Sequence, residues 1–405
     1  MKILVSNVGS TSLKFKLYDM PEKQVLCTGK AERVGSRDDA VFYYKNQITG
    51  FEERRICGIP TYSEGIALFT SFMTSAEFGI LQSVSQIDAV GFKTVAAKDY
   101  NGVHELNDEV LEAMRAYLPI APAHNTAYLE AIGCFREMLP DTRFIGCFET
   151  GFHQTIPEER RVYSLPYEWY EKYGVKKLGY HGASHSYVAS VLEKLYGGTG
   201  KAVSCHLGGS GSLCAIQDGR SVDTSFGMSL QVGLPQSNRT GDMDPYIIKY
   251  MEAQGLSDDE IWSAMTKESG LLGISGVSPH MNYIEEAMIA GNPRAKLAFQ
   301  IYAESLIRLI GAYAAEMGGL DNIAFTGGIG ENQARLRSEV GGRLGFLGVV
   351  IDQELNSKAS NEIRVISTPE SKVRVLVIPA DEEIVIAEKT YEYINTGDNY
   401  AHSLS

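Results

Sequence analysis

Two glycine and hydroxyl turns in this chain have the composition to cradle phosphate, and they read as copies of one device. The first is Val5-Ser6-Asn7-Val8-Gly9-Ser10-Thr11-Ser12-Leu13-Lys14-Phe15 and the second is Ser204-Cys205-His206-Leu207-Gly208-Gly209-Ser210-Gly211-Ser212-Leu213-Cys214. Each runs from an apolar strand through the turn into an apolar strand ending near Asp19 or Asp218. Glycine lets backbone N–H groups approach an anion closely, and serine and threonine hydroxyls add donors without bulk. Either turn alone would pass for an ordinary tight β-turn. Their repetition favours two turns that together grip a nucleotide polyphosphate in a cleft between two domains. It also disfavours Rossmann and P-loop sites, where a single glycine loop opens a helix.

Other segments carry chemistry of their own. Thr326-Gly327-Gly328-Ile329-Gly330-Glu331-Asn332 follows a strand and precedes a helix, a place where backbone can approach a purine, ribose or phosphate. It is no dinucleotide fingerprint, because Gln333 stands where a third glycine is needed. Gly197-Gly198-Thr199-Gly200-Lys201 imitates a P-loop but has Leu195 for the first glycine and Ala202 for the closing hydroxyl residue. His181-Gly182-Ala183-Ser184-His185 lacks the glutamate of a zinc-protease helix, so a histidine donating to a phosphoryl oxygen fits better than zinc. Structural capping by one of these histidines is the competing reading. Ser237-Asn238-Arg239-Thr240-Gly241-Asp242 sets an arginine in a polar loop, where a guanidinium can fork onto phosphate or simply face solvent.

The elements that must position these groups alternate between strand and helix along all 405 residues. The pattern predicts a β-meander from Lys2 to about Ile48 and a buried strand at Asp88-Ala89-Val90-Gly91-Phe92. Helices are expected over Asn107 to Tyr117, Thr126 to Met138 and Pro293 to Met317. The last of these is apolar along Ala298, Tyr302, Leu306, Ile310 and Ala314, as a core or interdomain helix would be. Strands at Ala202 to His206, Asn322 to Thr326 and Val373 to Ile378 belong to a second α/β unit. The final helix opens at Pro379-Ala380-Asp381-Glu382-Glu383, with acidic residues suited to its N-terminus. At 44% hydrophobic and 21% charged, the composition is that of a globular protein of two domains. The net charge of −13 argues against a nucleic-acid partner, so a small anion must be held by local positive groups. Ile3-Leu4-Val5 is too short for a signal peptide, and no run approaches the roughly 18 apolar residues of a membrane span. A cytoplasmic enzyme with no membrane partner is expected. Cys27, Cys57, Cys134, Cys147, Cys205 and Cys214 have no C-x-x-C spacing and read as reduced core residues.

Taken together, the motifs resemble those of the acetate and propionate kinase family, within the superfamily of acetate and sugar kinases, heat-shock cognate proteins and actin. The resemblance runs nearly end to end. It passes through Asn7-x-Gly9-Ser10-x-Ser12-Leu13-Lys14, Ala121-Pro122-Ala123-His124-Asn125, Phe152-His153-Gln154 and His181-Gly182-x-Ser184-His185. It continues through Asp223-Thr224-Ser225, Arg239-x-Gly241-Asp242-x-Asp244-Pro245, Gly328-Ile329-Gly330-Glu331-Asn332 and Asp381-Glu382-Glu383. It implies an α/β fold of two ribonuclease-H-like, actin-like ATPase domains around a central cleft. The N-terminal domain would be 1–150, rejoined by a helix at 381–394; the nucleotide-binding domain would be 151–380, with a frayed tail at 395–405. It further implies a homodimer, Mg²⁺ (or Mn²⁺), and reversible phosphoryl transfer between ATP and a short carboxylic acid.

Carried over by the resemblance, Asn7 and Glu382 hold the metal, while His181, Arg239, His124 and Glu149 surround the moving phosphoryl group. Nucleotide contacts fall to Ser10, Ser12 and Lys14, to His206, Gly208, Gly209, Ser210 and Gly211, to His280 and Asn282, and to Gly328, Ile329, Gly330 and Asn332. Lys93, Val95, Tyr180 and Leu230 line the acid pocket. Several of these positions depart from the family pattern. Lys93 replaces an arginine that would clamp the carboxylate, Glu149 replaces an aspartate, and Gly209-Ser210 replaces Asn-Gly. Leu230 replaces a proline and Tyr180 a phenylalanine, while His280 and Asn282 replace an aspartate and an arginine beside the adenosine. These departures leave three readings open: an acetate or propionate kinase, a kinase for another acid or another phosphoryl donor such as a different NTP or pyrophosphate, and a degenerate paralogue that only binds nucleotide or acyl phosphate.

Overall fold

In the computed structural model the described residues are 1–9 and 11–397. Ser10 of the first turn and residues 398–405 of the tail therefore lie outside the described residues. The chain divides into two compact units, Met1–Gly151 together with the segment from Asp381 onward, and Phe152–Ala380.

The first unit is built on eight strands: β1 (Lys2–Gly9), β2 (Ser12–Asp19), β3 (Gln24–Glu32), β4 (Ser36–Asn46), β5 (Glu52–Ile59), β6 (Ala89–Thr94), β7 (Val103–Glu105) and β8 (Arg143–Phe148). They lie in the order β5-β4-β3-β2-β1-β6-β8-β7. β1 pairs antiparallel with β2 and parallel with β6, which is in turn parallel to β8. The meander runs past Ile48, because the charged strand Glu-Glu-Arg-Arg-Ile-Cys-Gly-Ile adds β5 at the sheet edge. Side chains alternate across a strand, and β6 shows what that does here. Phe92 points into an aromatic core, edge-on to Phe135 at 5.5 Å between centroids. Gly91 lies beneath the helix Glu382–Thr396, where a Cβ would come within 2.4 Å of Thr390 Oγ1.

The second unit repeats the pattern with β9 (Lys201–Leu207), β10 (Gly211–Gln217), β11 (Arg220–Thr224), β12 (Asn322–Thr326), β13 (Arg364–Val365) and β14 (Arg374–Val377) in the order β11-β10-β9-β12-β14-β13. Again an antiparallel meander abuts two parallel strands. Val203, Cys205, Leu207, Leu213 and Ala215 face the helix Pro293–Met317, whose Ala298, Tyr302, Leu306 and Ile310 are buried on them. Ala202, Cys214 and Ile216 face the helix Gly182–Tyr196 through Val188, Ala189 and Leu192. That parity sends Ser204, His206 and Ser212 towards the helix carrying His185. All six cysteines are free; Cys57 and Cys134 are half-exposed and the others buried. Among the described residues no helix is long and apolar enough to cross a membrane.

Candidate active site

In the second unit, β9 and β10 pair so that Leu207 faces Gly211 and His206 faces Ser212 across the second glycine turn. Gln236 clamps the end of that turn: its amide oxygen accepts from Gly211 N at 2.6 Å and its nitrogen donates to Gly211 O at 3.1 Å. Ser212 Oγ lies 2.9 Å from His181 Nδ1 and 2.8 Å from His185 Nε2. His206 packs against His181, tilted by 39°, at 4.3 Å between centroids and meets Ser184 Oγ through Nδ1 at 2.7 Å. His181 itself has a left-handed backbone, φ 57°, immediately before its helix. Such a conformation is uncommon for a residue with a Cβ and persists where the surroundings enforce it. Tyr180 is buried, with its hydroxyl donating to Met228 O at 2.6 Å, and Leu230 is buried.

Arg239 is joined to the same turn. Its Nη2 donates to Ser210 Oγ at 2.7 Å. Among the described residues no carboxylate pairs with it, and burial pulls its pKa down to about 10. The chain reaches this position because Gly270, at φ 59°, passes where a Cβ would lie 2.6 Å from Arg239 O and 2.2 Å from Gln236 O. A guanidinium partly withdrawn from water without an anionic partner is an arrangement that a bound anion relieves. Two serines two positions apart, Ser210 and Ser212, thus tie a half-buried guanidinium and an imidazole to one glycine turn.

The Gly327–Asn332 helix lies beside this turn. Gly327, φ 75°, passes so close to β9 that a Cβ would meet Leu207 O at 2.8 Å. Ile329 is buried, and Asn332 Nδ2 donates to Gly328 O at 2.8 Å. Arg337, fully buried, donates from Nη1 to Gly330 O at 2.8 Å and Glu331 O at 2.9 Å, and from Nε to Asn356 Oδ1 at 2.7 Å. It fixes the glycine segment, and the sequence had no signal for it beyond its place in a helix. His280 and Asn282 are exposed at the start of the helix Met281–Ile289. Nearby, an open groove of about 490 Å³ is lined by Val277, Ser278, Tyr283, Glu286, Ala287 and Ala290.

The first unit gathers a second group of charges. Lys93 Nζ lies 2.6 Å from Glu382 Oε2 and 3.7 Å from Glu149 Oε2, with both carboxylates largely buried. Burial alone would depress the Lys93 pKa, but the charges of Glu149 and Glu382 outweigh it and hold the ammonium above its ordinary value. Glu149 follows β8, its N–H donating to Thr94 O at 2.9 Å, and Glu382 opens the last helix, where a carboxylate is favoured. Tyr128, in the charge field of Lys93, Glu149 and Glu382, accepts from Val8 N at 3.2 Å and donates to Asn7 Oδ1 at 3.4 Å. Lys93 is therefore an ion-paired lysine, whereas the sequence suggested only a cation facing the acid. Val95 is buried, and His124 sits half-buried on the helix Pro122–Met138. Its neighbour Asn125 donates to Ala96 O at 3.0 Å and Met114 O at 2.8 Å, tying that helix to the segment after Lys93. In the first glycine turn, Tyr62 Oη donates to Gly9 O at 2.8 Å, Ser12 is half-buried, and Lys14 is exposed opposite Asn7. A second lysine, Lys16, pairs with Asp381 at 2.9 Å and Glu383 at 3.5 Å.

Two sheets that each join an antiparallel meander to parallel crossover strands make this the actin-like ATPase fold. Comparison with known proteins narrows this. The sequence model of the Acetokinase family matches residues 2–388. An acetate kinase of Phocaeicola vulgatus is 42% identical over 401 residues, covering 98% of this chain and 100% of the relative. The crystal structure of Porphyromonas gingivalis acetate kinase superposes with a TM-score of 0.87 at 37% identity, covering 97% of this chain and 99% of that one. A propionate kinase from Francisella tularensis subsp. tularensis superposes equally well, 0.87, at 31% identity over 96% and 98% of the two chains. The chain belongs to the acetokinase family. It is a phosphotransferase with a carboxyl group as acceptor, moving a phosphoryl group between ATP and a short carboxylic acid to give an acyl phosphate.

Proposed function

We propose that Arg239, His181 and His124 hold the phosphoryl group in flight, and that Lys93 with Val95, Tyr180 and Leu230 receives a short acid such as acetate or propionate. The observation that carries this reading is Arg239, a half-buried guanidinium with no carboxylate partner among the described residues, bonded to Ser210 of a glycine turn. Phosphoryl transfer asks the protein mainly for in-line positioning and for donors on the equatorial oxygens. Arg239 supplies a planar fork, His181 a ring donor, and the Gly208–Gly211 and Gly328–Asn332 segments supply backbone N–H groups to the nucleotide. The acid's own carboxylate oxygen attacks, so no covalent nucleophile is needed.

The residues around Lys93 fit a divalent cation. The side-chain oxygens of Asn7, Glu149 and Glu382 suit Mg²⁺ or Mn²⁺, and the ammonium beside the two carboxylates marks the place as one that stabilises positive charge. Two carboxylates against one ammonium leave the group net negative, so anionic substrates need added positive charge. Asn7 and Glu382 would hold the ion, which when bound draws charge from the phosphate oxygens. An ammonium has three donors, and with Glu382 taking one at 2.6 Å, Lys93 directs another to the acid. The reading includes a homodimer in the cytoplasm, the former checked by analytical ultracentrifugation.

Incubation with Mg-ATP, a panel of short acids and hydroxylamine tests the activity: acyl hydroxamate should form with acetate or propionate, and its absence with every acid would support a degenerate paralogue. A second prediction concerns the base. His280 and Asn282 are exposed, and neither lines the nearby groove. Each missing polar base contact is worth about 1–2 kcal/mol, so kcat/KM for ATP should exceed that for GTP or ITP by no more than about tenfold. A ratio above about a hundredfold would mean that other residues read the adenine.

A further inference from the structure

We infer that Ser204, His185 and Ser212 are positioning residues that fix His181 in the tautomer whose hydrogen sits on Nε2, making the neutral ring a hydrogen-bond donor. The inference rests on the proposed role of His181 at the phosphoryl group. Four side chains form a continuous line: Ser204 Oγ to His185 Nδ1 at 2.8 Å, His185 Nε2 to Ser212 Oγ at 2.8 Å, and Ser212 Oγ to His181 Nδ1 at 2.9 Å. Ser204, His185 and Ser212 are completely buried. Burial drives the His185 pKa well below the ordinary histidine value, and the neighbouring His153 and His206 push it the same way, so His185 is neutral with a single ring hydrogen.

Each serine hydroxyl also has one hydrogen, so only two polarities give every bond in the line its own hydrogen; a third, in which both rings donate to Ser212, leaves the buried Ser212 hydrogen without an acceptor and is disfavoured. In the first, Ser204 donates to His185 Nδ1, His185 Nε2 donates to Ser212, and Ser212 donates to His181 Nδ1. Every hydrogen in the line then has an acceptor, and the His181 hydrogen is placed on Nε2. In the second, His181 Nδ1 donates to Ser212, Ser212 to His185 Nε2, and His185 Nδ1 to Ser204. The Ser204 hydrogen is then left over. Among the described residues, the only side-chain hydrogen bond of Ser204 is the one to His185, and the hydroxyl is buried. A buried donor with no acceptor disfavours that polarity by about ten- to a hundredfold in population. The first polarity therefore prevails. His181 then needs no added proton to offer the Nε2 hydrogen to a phosphoryl oxygen.

The test uses the full chain labelled with ¹⁵N-histidine and long-range ¹H–¹⁵N correlation at a pH where the rings are neutral, with a His181→Asn variant to assign the ring. Both His181 and His185 should carry hydrogen on Nε2; a His181 hydrogen on Nδ1 overturns the inference whatever the kinetics show. In steady-state assays, Ser212→Ala should lower kcat by about tenfold with KM for the acid within about twofold. Ser212→Thr should restore most of the loss. His185→Gln, whose amide can still donate to Ser212, should retain more kcat than His185→Leu. An unchanged kcat in Ser212→Ala, or a loss confined to KM, would count against the relay. If the parent forms no acyl hydroxamate, the functional reading fails, and the tautomer assignment is still decided by the resonances.

Discussion

Alanine at Arg239 is expected to lower kcat by about 10²-fold or more while changing KM for the acid much less, and alanine at His181 should do the same. The expectation follows from how each group is held. The Arg239 guanidinium is half-buried beside Ser210 with no carboxylate among the described residues to neutralise it, so its field is little diminished where phosphate charge develops. His181 is fixed by Ser212 and by a left-handed backbone, so its ring needs little reorganisation in the transition state. Lysine at 239 should recover only part of the loss, since an ammonium cannot fork onto two equatorial oxygens. Steady-state kinetics with saturating nucleotide give the result directly. If both alanine variants keep the parent kcat, neither side chain belongs to the phosphoryl site.

Much of this arrangement was legible in the sequence because it is local. The two glycine hairpins could be read from composition, and Pro293–Met317 from a proline at its start and an unbroken apolar stripe. The edge strand β5 escaped notice because an edge tolerates charge on both faces, which erases the alternation that marks a half-buried strand. The site's supporting residues were hidden for a different reason. Ser204 and Ser212 look like ordinary strand serines; only the β9–β10 register and the packing of the helix Gly182–Tyr196 bring both to His185. Tyr128 meets Asn7, and Lys93 meets Glu382 across 289 residues of chain, contacts that no spacing rule reaches. His185 stood out beside His181 by its four-residue spacing, yet its two serine bonds and complete burial make it a support for the reacting ring.

Methionine at Lys93 is expected to destabilise the protein by about 3 kcal/mol and to make its stability depend on divalent cations. In the parent, one ammonium lies between Glu149 and Glu382, whose side chains are 4% and 11% exposed. Methionine keeps most of the volume and removes the charge, leaving two largely buried carboxylates with only each other's repulsion. Breaking a buried pair from one side costs more than the pair contributes, because the remaining charge keeps its desolvation penalty. Thermal unfolding without nucleotide should therefore show Tm lower by several degrees. Adding Mg²⁺ or Mn²⁺ should raise the Tm of Lys93→Met by more than it raises the parent's, since the ion can take the place that the ammonium held and binding to the folded state stabilises it by mass action. Lys93→Arg separates charge from geometry: it should keep the parent Tm to within a few degrees, and a planar fork able to reach an acid while pairing with Glu382 should improve kcat/KM for acetate by roughly tenfold. A Lys93→Met protein as stable as the parent and indifferent to divalent cations would show that Glu149 and Glu382 do not depend on Lys93 for their charge balance. The assignment of Glu382 to a cation site would fall with it.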